Sequence, residues 1–192
     1  MNGALQIDNY GSRSTGPVRY LLSGNYLSPL KRGDKLDMMY MHTSGSDYGR
    51  IGYDAPVGTS GLHMGVGGSL LHYQVVEGVV TNNPHGHSES AQVNASYPIY
   101  RTYMTDARLT SMLDYKHFYN ANDLEGTVSD YKVQTFNLGA SLKQLNTFLA
   151  SGQSNLSFNF DFGDVDYSAF SSWQTSQASN YSTGGHFNRL RF

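Results

Sequence analysis

Apolar and polar residues alternate with a period of two along nearly the whole chain, a pattern that predicts strands and not helices. Along 18–26 one face reads Val18, Tyr20, Leu22, Gly24 and Tyr26, the other Arg19, Leu21, Ser23 and Asn25. The next runs set Leu36, Met38 and Tyr40 against Lys35 and Asp37, then Ile51, Tyr53, Ala55 and Val57 against Arg50 and Asp54. Leu62, Met64, Val66, Gly68 and Leu70 oppose His63, Gly65, Gly67 and Ser69, and Ala91, Val93, Ala95, Tyr97 and Ile99 oppose Ser90, Gln92, Asn94 and Ser96. Farther on, Leu109, Leu113 and Tyr115 oppose Arg108, Asp114 and Lys116, and Phe136, Leu138, Ala140 and Leu142 oppose Asn137, Gly139 and Ser141. The cleanest run sets Leu156, Phe158, Phe160 and Phe162 against Asn155, Ser157, Asn159 and Asp161. With 5–10 as a first strand and 185–192 as the start of a last one, the rhythm predicts about ten strands joined as consecutive hairpins.

The apolar face of these runs carries no Asp, Glu, Lys or Arg, whereas the opposite faces carry Arg19, Lys35, Asp37, Arg50, Asp54, Arg108, Asp114, Lys116 and Asp161. A cation facing lipid at the bilayer midplane costs about 2–4 kcal/mol, so a wall between lipid and a wet lumen needs this segregation. A soluble barrel shows the same alternation with the sense reversed, and the connections separate the two. One set of turns is short (28–33, 58–60 and 101–105, with 143–154 as a longer exception). The other set is longer and rich in Gly, Asn and Ser (77–87, 120–129 and 163–184), after two short early members near 11–16 and 44–47. Short turns on one rim and long loops on the other are the outer-membrane pattern. Tyr20, Tyr26, Tyr40, Tyr53, Tyr97 and Tyr115 on the apolar faces suit an interfacial girdle. The expected fold is all-β: a transmembrane antiparallel β-barrel, an up-and-down meander, with 1–192 as a single domain in the bacterial outer membrane. The charged residues named above are candidates for lining its lumen, as paired ions, as the wall of a hydrated path, or both.

Composition narrows the alternatives. Charged residues make up 15% of the 192, against roughly 25% in an average soluble protein. No apolar run approaches the ~18 residues of a membrane helix. A net charge of −2 gives no electrostatic case for nucleic acid. The absence of Cys excludes disulfides, thiolate zinc sites and Cys nucleophiles. The N-terminal Met1-Asn2-Gly3-Ala4-Leu5 has neither a basic nor an apolar leader region. A removed leader or an internal position in a longer protein is therefore expected.

Candidate chemistry is sparse. His85-Gly86-His87 falls in the expected loop 77–87, with Glu89 as its only nearby carboxylate, a poor metal set. His63, His72, His117 and His186 fall on different strands without zincin spacing. Some outer-membrane barrels are hydrolases with Asp/His or Ser/His groups at the outer rim or on the lipid face; His42, Asp47, Asp164 and Asp166 are the corresponding candidates, but no Ser has a local base or a nucleophile elbow. Gly65-Val66-Gly67-Gly68 precedes no helix and is no phosphate loop. No enzyme activity, metal, nucleotide or other cofactor is expected.

Four short motifs in order carry a resemblance. The first is Asp8-Asn9-Tyr10-Gly11-Ser12-Arg13-Ser14-Thr15-Gly16 with Arg19 following; the second is Ser28-Pro29-Leu30 with Gly33-Asp34. The third is Tyr48-Gly49-Arg50-Ile51-Gly52-Tyr53, then Pro56-Val57-Gly58 and Gly61-Leu62; the fourth is Tyr97-Pro98-Ile99-Tyr100-Arg101. Together they resemble the start of the barrel in the two-partner secretion transporters, the haemolysin secretion/activation family of the Omp85 superfamily. Ser28 stands where that family's turn has Asn, and beyond about Arg101 the likeness is mostly pattern. The resemblance implies passage of a partner exoprotein, an adhesin or haemolysin, across the outer membrane without nucleotide or metal. It also implies periplasmic POTRA domains, a plug helix, a lumen loop and about six further strands, none of which this sequence contains. The chain is then the N-terminal part of a larger barrel, with unsatisfied edge strands when alone. The motif glycines and Arg13 are expected to shape the first hairpin and not to bind a ligand. A small closed barrel acting as an enzyme or adhesion protein is the alternative, for which ten strands would suffice.

Overall fold

The computed structural model describes residues 1–76, 84–122, 127–146, 152–167 and 185–192, with the backbone alone at 127, 128 and 146. Ten strands follow in chain order: β1 (Asn2–Asp8), β2 (Arg19–Leu27), β3 (Lys35–Thr43), β4 (Ser46–Val57), β5 (Leu62–Gln74), β6 (Pro84–Arg101), β7 (Thr105–Asn122), β8 (Thr127–Asn146), β9 (Gly152–Asp166) and β10 (Gly185–Arg191). They form one sheet in the order β1 to β10, each antiparallel to its sequence neighbour. The expected all-β meander of hairpins is what the chain forms, and β1 and β10 end the sheet without closing it among the described residues.

Because paired residues in an antiparallel sheet share a face, the register carries the two faces across all ten strands. One row runs Lys35, Asp54, Gly65, Asn94, Met112, Asn137, Asp161, Arg189. The row set one residue off it runs Leu36, Tyr53, Val66, Val93, Leu113, Phe136, Phe162. Among the described residues the pairing shifts register once, between Pro98 and Tyr100, at a bulge near the end of β6.

No large apolar residue is buried among the described residues. Ile51 is 54% and Leu113 58% exposed, while the buried strand side chains are Thr43, Ser46, Asn137 and Asp161, all on the polar face. Side chains crowd on the inside of a curved sheet and splay on the outside, so the polar face is the inner one. The arrangement is the reverse of a soluble core and leaves the apolar surface for a non-aqueous neighbour.

Four of the expected connections are shorter than the sequence suggests. The expected loops 77–87, 120–129 and 163–184 are partly strand: β6 begins at Pro84, β7 runs to Asn122, β8 starts at Thr127 and β9 runs to Asp166. The turn 143–154 is likewise shortened by β8 and β9. The remaining positions of these connections, 77–83, 123–126, 147–151 and 168–184, lie outside the described residues. His85-Gly86-His87 therefore sits in β6, not in a loop. The apolar content of these strands ends before their alternation does, so a boundary read from apolar residues falls short of the strand end.

Candidate functional site

The inner face gathers the nine charged residues named as candidates for lining a lumen. Lys35, Asp54 and Asp161 share one row; Asp37 and Asp114 share the next through Gly52, Gly67 and Gln92; Arg50 and Lys116 share a third through Ser69 and Ser90. Arg19 pairs with Asp8, and Arg108 lies opposite Pro98 and Ser141, on the same face. Several ions pair along their own strand: Lys35 with Asp37 at 3.0 Å and Lys116 with Asp114 at 2.7 Å. Others pair between strands, Arg19 with Asp8 at 2.9 Å and Arg101 with Asp106 at 3.6 Å, and His63 Nδ1 lies within hydrogen-bond distance of Asp54 at 3.0 Å. A pair with both side chains nearly half exposed, such as Lys35–Asp37, contributes about 0–1 kcal/mol. Such pairs make a hydrated wall of both signs more than they hold the sheet together.

Two features of this wall differ from the rest. Asp161, 2% exposed, accepts from Asn137 Nδ2 at 2.5 Å, Arg189 Nε at 2.9 Å and Arg191 at 2.8 Å, tying β8, β9 and β10 at one point. Beside it Phe187 lies on the inner face over Gly163, where a Cβ would meet the ring. On the other flank, Lys35, Asp37, Arg50, Asp54, Gln92 and Asn94 are among the residues lining a cleft of about 450 Å³, floored at Gly52, where an added Cβ would meet nothing within 4 Å.

The four sequence motifs interlock. In the first, Asp8 accepts from Arg19 Nε and Nη2, at 3.1 and 2.9 Å, and from the Tyr10 amide at 3.0 Å; Gly11 N–H donates to the Pro17 carbonyl at 3.0 Å. The Thr15 carbonyl accepts from Gly45 N–H at 2.8 Å and from Thr43 Oγ1 at 2.6 Å, and the Ser14 carbonyl accepts from Val76 N–H at 2.8 Å. Gly16, at φ 108°, sits where a Cβ would strike Ser44. The opening motif is thus a strap from the β1–β2 connection across the ends of β3, β4 and β5. Arg13 and Asn9 lie on that connection, outside the strands.

In the second motif Gly33, at φ 78°, turns the chain so that Asp34, 1% exposed, points back into its own turn. It accepts from Leu30 N–H at 3.1 Å, Arg32 N–H at 3.2 Å and, from the third motif, the Tyr53 hydroxyl at 2.9 Å. Burial by itself would raise this carboxyl, but the donated hydrogen bonds outweigh it and hold it below the ordinary value of 3.8. The third motif meets the fourth where Gly61, at φ 82°, lies against the Pro98 ring. Tyr48 and Arg50 of the third motif face inward, Gly49 and Tyr53 outward, and Arg101 closes β6 opposite Asp106. These residues act as architecture.

The sequence reading missed one assembly. On the outer face, toward the long-loop rim, a row runs Tyr20, His42, Asp47, His72, His87, Tyr119, Asp130, and the row beneath it runs Tyr40, Gly49, Leu70, Glu89, His117, Lys132, Asp166. His42 Nδ1 and the Tyr40 hydroxyl lie 2.8 and 2.6 Å from Asp47, His117 Nε2 lies 2.6 Å from Asp130, and His87 stacks on Tyr119 with centroids 5.0 Å apart. His186 lies 2.9 Å from Asp164 on the same face. Neither row contains a Ser or Thr among the described residues, so the His–Asp pairs have no Ser or Thr hydroxyl beside them, and the hydroxyls in these rows belong to tyrosines. The signal was present as phase: His85, His87 and Glu89 continue the alternation of Ala91 and Val93.

No curated protein matches this sequence. Among solved structures the fold is similar to CdiB from Escherichia coli, with a TM-score of 0.70 and 18% identity over 88% of this chain and 32% of that one. It is also similar to CdiB from Acinetobacter baumannii, with a TM-score of 0.56 and 18% identity over 85% of this chain and 31% of that one. The chain thus spans about a third of the length of these structures. The family model of the haemolysin secretion/activation proteins ShlB/FhaC/HecB, a family of outer-membrane β-barrel transporters, matches residues 1–186, and the chain belongs to that family.

Proposed function

We propose that this chain is the N-terminal wall, in a single barrel domain, of an outer-membrane pore that passes a partner exoprotein of haemolysin or adhesin type across the bacterial outer membrane, with no catalytic step of its own. The observation that carries the reading is the segregation of charge. Arg19, Lys35, Asp37, Arg50, Asp54, Arg108, Asp114, Lys116 and Asp161 share the inner face, and the outer face from Ile51 to Val57 and from Leu109 to Leu113 has none. A passing polypeptide presents peptide dipoles and side chains of both signs. A wall with weakly held ions of both signs solvates it without binding it tightly. Family membership supports the role, and lipid and the secreted polypeptide are the partners it requires; nucleic acid and nucleotide have no part in it.

Deleting the gene should abolish secretion of its co-expressed partner, and Ala substitution of His42, Asp47, His85, His87, Asp164 and Asp166 should leave secretion intact. Within the gene product, Arg50→Cys modified by a bulky thiol reagent should slow export, whereas Ile51→Cys modified in the same way should not. Equal effects from these adjacent positions would remove the inner face from the path, and export independent of the gene would overturn the reading.

A further inference from the structure

The strands β6, β7 and β8 run 18, 18 and 20 residues, whereas a tilted strand crosses the hydrocarbon in about 9–11. Counting about ten residues from the short-turn ends at Arg101, Thr105 and Asn146 reaches Ala91, Tyr115 and Phe136. Beyond those positions the outer face changes character at once, to Glu89 and His87, His117 and Tyr119, Lys132 and Asp130. The change follows the rows across to Asp47, His42 and Tyr40 on β3 and β4. Charge on this face is expensive in hydrocarbon and nearly free at the interface, so the boundary of the apolar layer falls between these two sets.

We infer that this outer belt docks the sugar headgroups of the outer-leaflet glycolipid. The inference rests on the outer-membrane reading above and deepens it by naming the lipid chemistry the outside of the wall takes. A cleft of about 360 Å³ opens in the belt, lined by Tyr40, Asp47, Leu70, His72, His87 and Glu89. Its chemistry suits hydroxyls. The Asp47 and Glu89 carboxylates accept from them, the His72 and His87 rings donate or accept, and the Leu70 side chain offers an apolar floor for the C–H face of a sugar ring. Phosphate is the poorer fit, because the carboxylates Asp47, Glu89, Asp130 and Asp166 face the single amine of Lys132 in these rows. The cleft opens directly above the lipid-facing apolar band on the same strands, so a lipid whose chains lie on Ile51, Gly68 and Ala91 has its headgroup at this height.

The test uses the full gene product in vesicles, in two steps. A fluorophore on Leu113→Cys should be quenched by acyl-brominated phosphatidylcholine, and one on Glu89→Cys should not. An unquenched Leu113 label would remove the membrane reading itself, and quenching at both would remove only this inference. Next, thermal unfolding is compared in phosphatidylcholine alone and with added digalactosyl diacylglycerol, lipopolysaccharide or phosphatidylglycerol. The sugar-bearing lipids should raise the melting temperature. The D47N/E89Q/H117Q/D130N variant should lose that rise, and Glu89→Gln alone, the milder change, should lose part of it. A rise as large with phosphatidylglycerol, or one undiminished in both variants, would overturn the assignment to sugar.

Discussion

Two stretches of one surface differ sharply on strands that do not themselves change. On β7, Leu109 and Leu113 and then His117 and Tyr119 are in phase, on the same pleat and the same outer face. On β8, Phe136, Leu138 and Ala140 are continuous with Lys132 and Asp130. Backbone geometry and hydrogen bonding are alike throughout, so neither explains why one half excludes charge and the other gathers it. The solvent does. In the membrane setting proposed above, the turn-side half has no water with which to hydrate a charge, and the loop-side half has. In a wall of this kind side-chain polarity reports height in the membrane, while phase alone reports which side of the wall a residue is on.

The largest expected effect breaks the comparison directly. Leu109→Arg, midway along the apolar stretch of β7, should destabilise the folded gene product by about 2–4 kcal/mol, and Glu89→Arg by about 0–1 kcal/mol. Guanidinium unfolding in vesicles measures both. Similar costs at the two positions would mean that both halves of the face meet the same solvent.

A smaller effect belongs to the inner face. Asp161 holds Arg189, Arg191 and Asn137, and the arginine side chains are themselves 58% and 52% exposed. Losing charge-assisted bonds of this kind costs about 2 kcal/mol, so Asp161→Ala should cost that much and speed amide exchange in β10. With Arg189→Ala in place, the same substitution should cost less. Independent, additive costs would show that the three strands are not joined through this carboxylate.

The meander and the two faces were legible because each depends only on alternation. Lys35, Arg50, Asp114 and Asp161 could be put on one side without knowing the register, since a period of two fixes the side. Strand ends were not legible. A strand recognised by its apolar residues stops where the environment turns polar, so the apolar pattern puts His87 in a loop and assigns no strand to Glu89, Asp130 and Lys132. The interlocking of the motifs was hidden for another reason. Thr15 reaching Gly45, and Asp34 reaching Tyr53, are contacts between hairpins, and nothing in the spacing within either motif encodes its neighbour.

The smallest expected effect concerns the short-turn rim, the end of the wall opposite the His–Asp belt. Asp34 is almost fully enclosed, and it works as an anion collecting the Leu30 and Arg32 amides and the Tyr53 hydroxyl. Its carboxyl is held below 3.8 in the folded protein, so the folded state favours the deprotonated form. The stabilisation is therefore fully present above the unfolded value and is lost as the pH falls through the lowered one. Lowering the pH should shift the Leu30 and Arg32 amide resonances together, with a midpoint under 3.8, while the outer apolar band is unaffected. Asp34→Asn, which keeps the shape but cannot ionise, should remove that titration and leave the turn weaker at neutral pH. If the amides of Leu30 and Arg32 titrate unchanged in Asp34→Asn, this carboxylate does not organise the turn, and the link between the second and third motifs rests on packing alone.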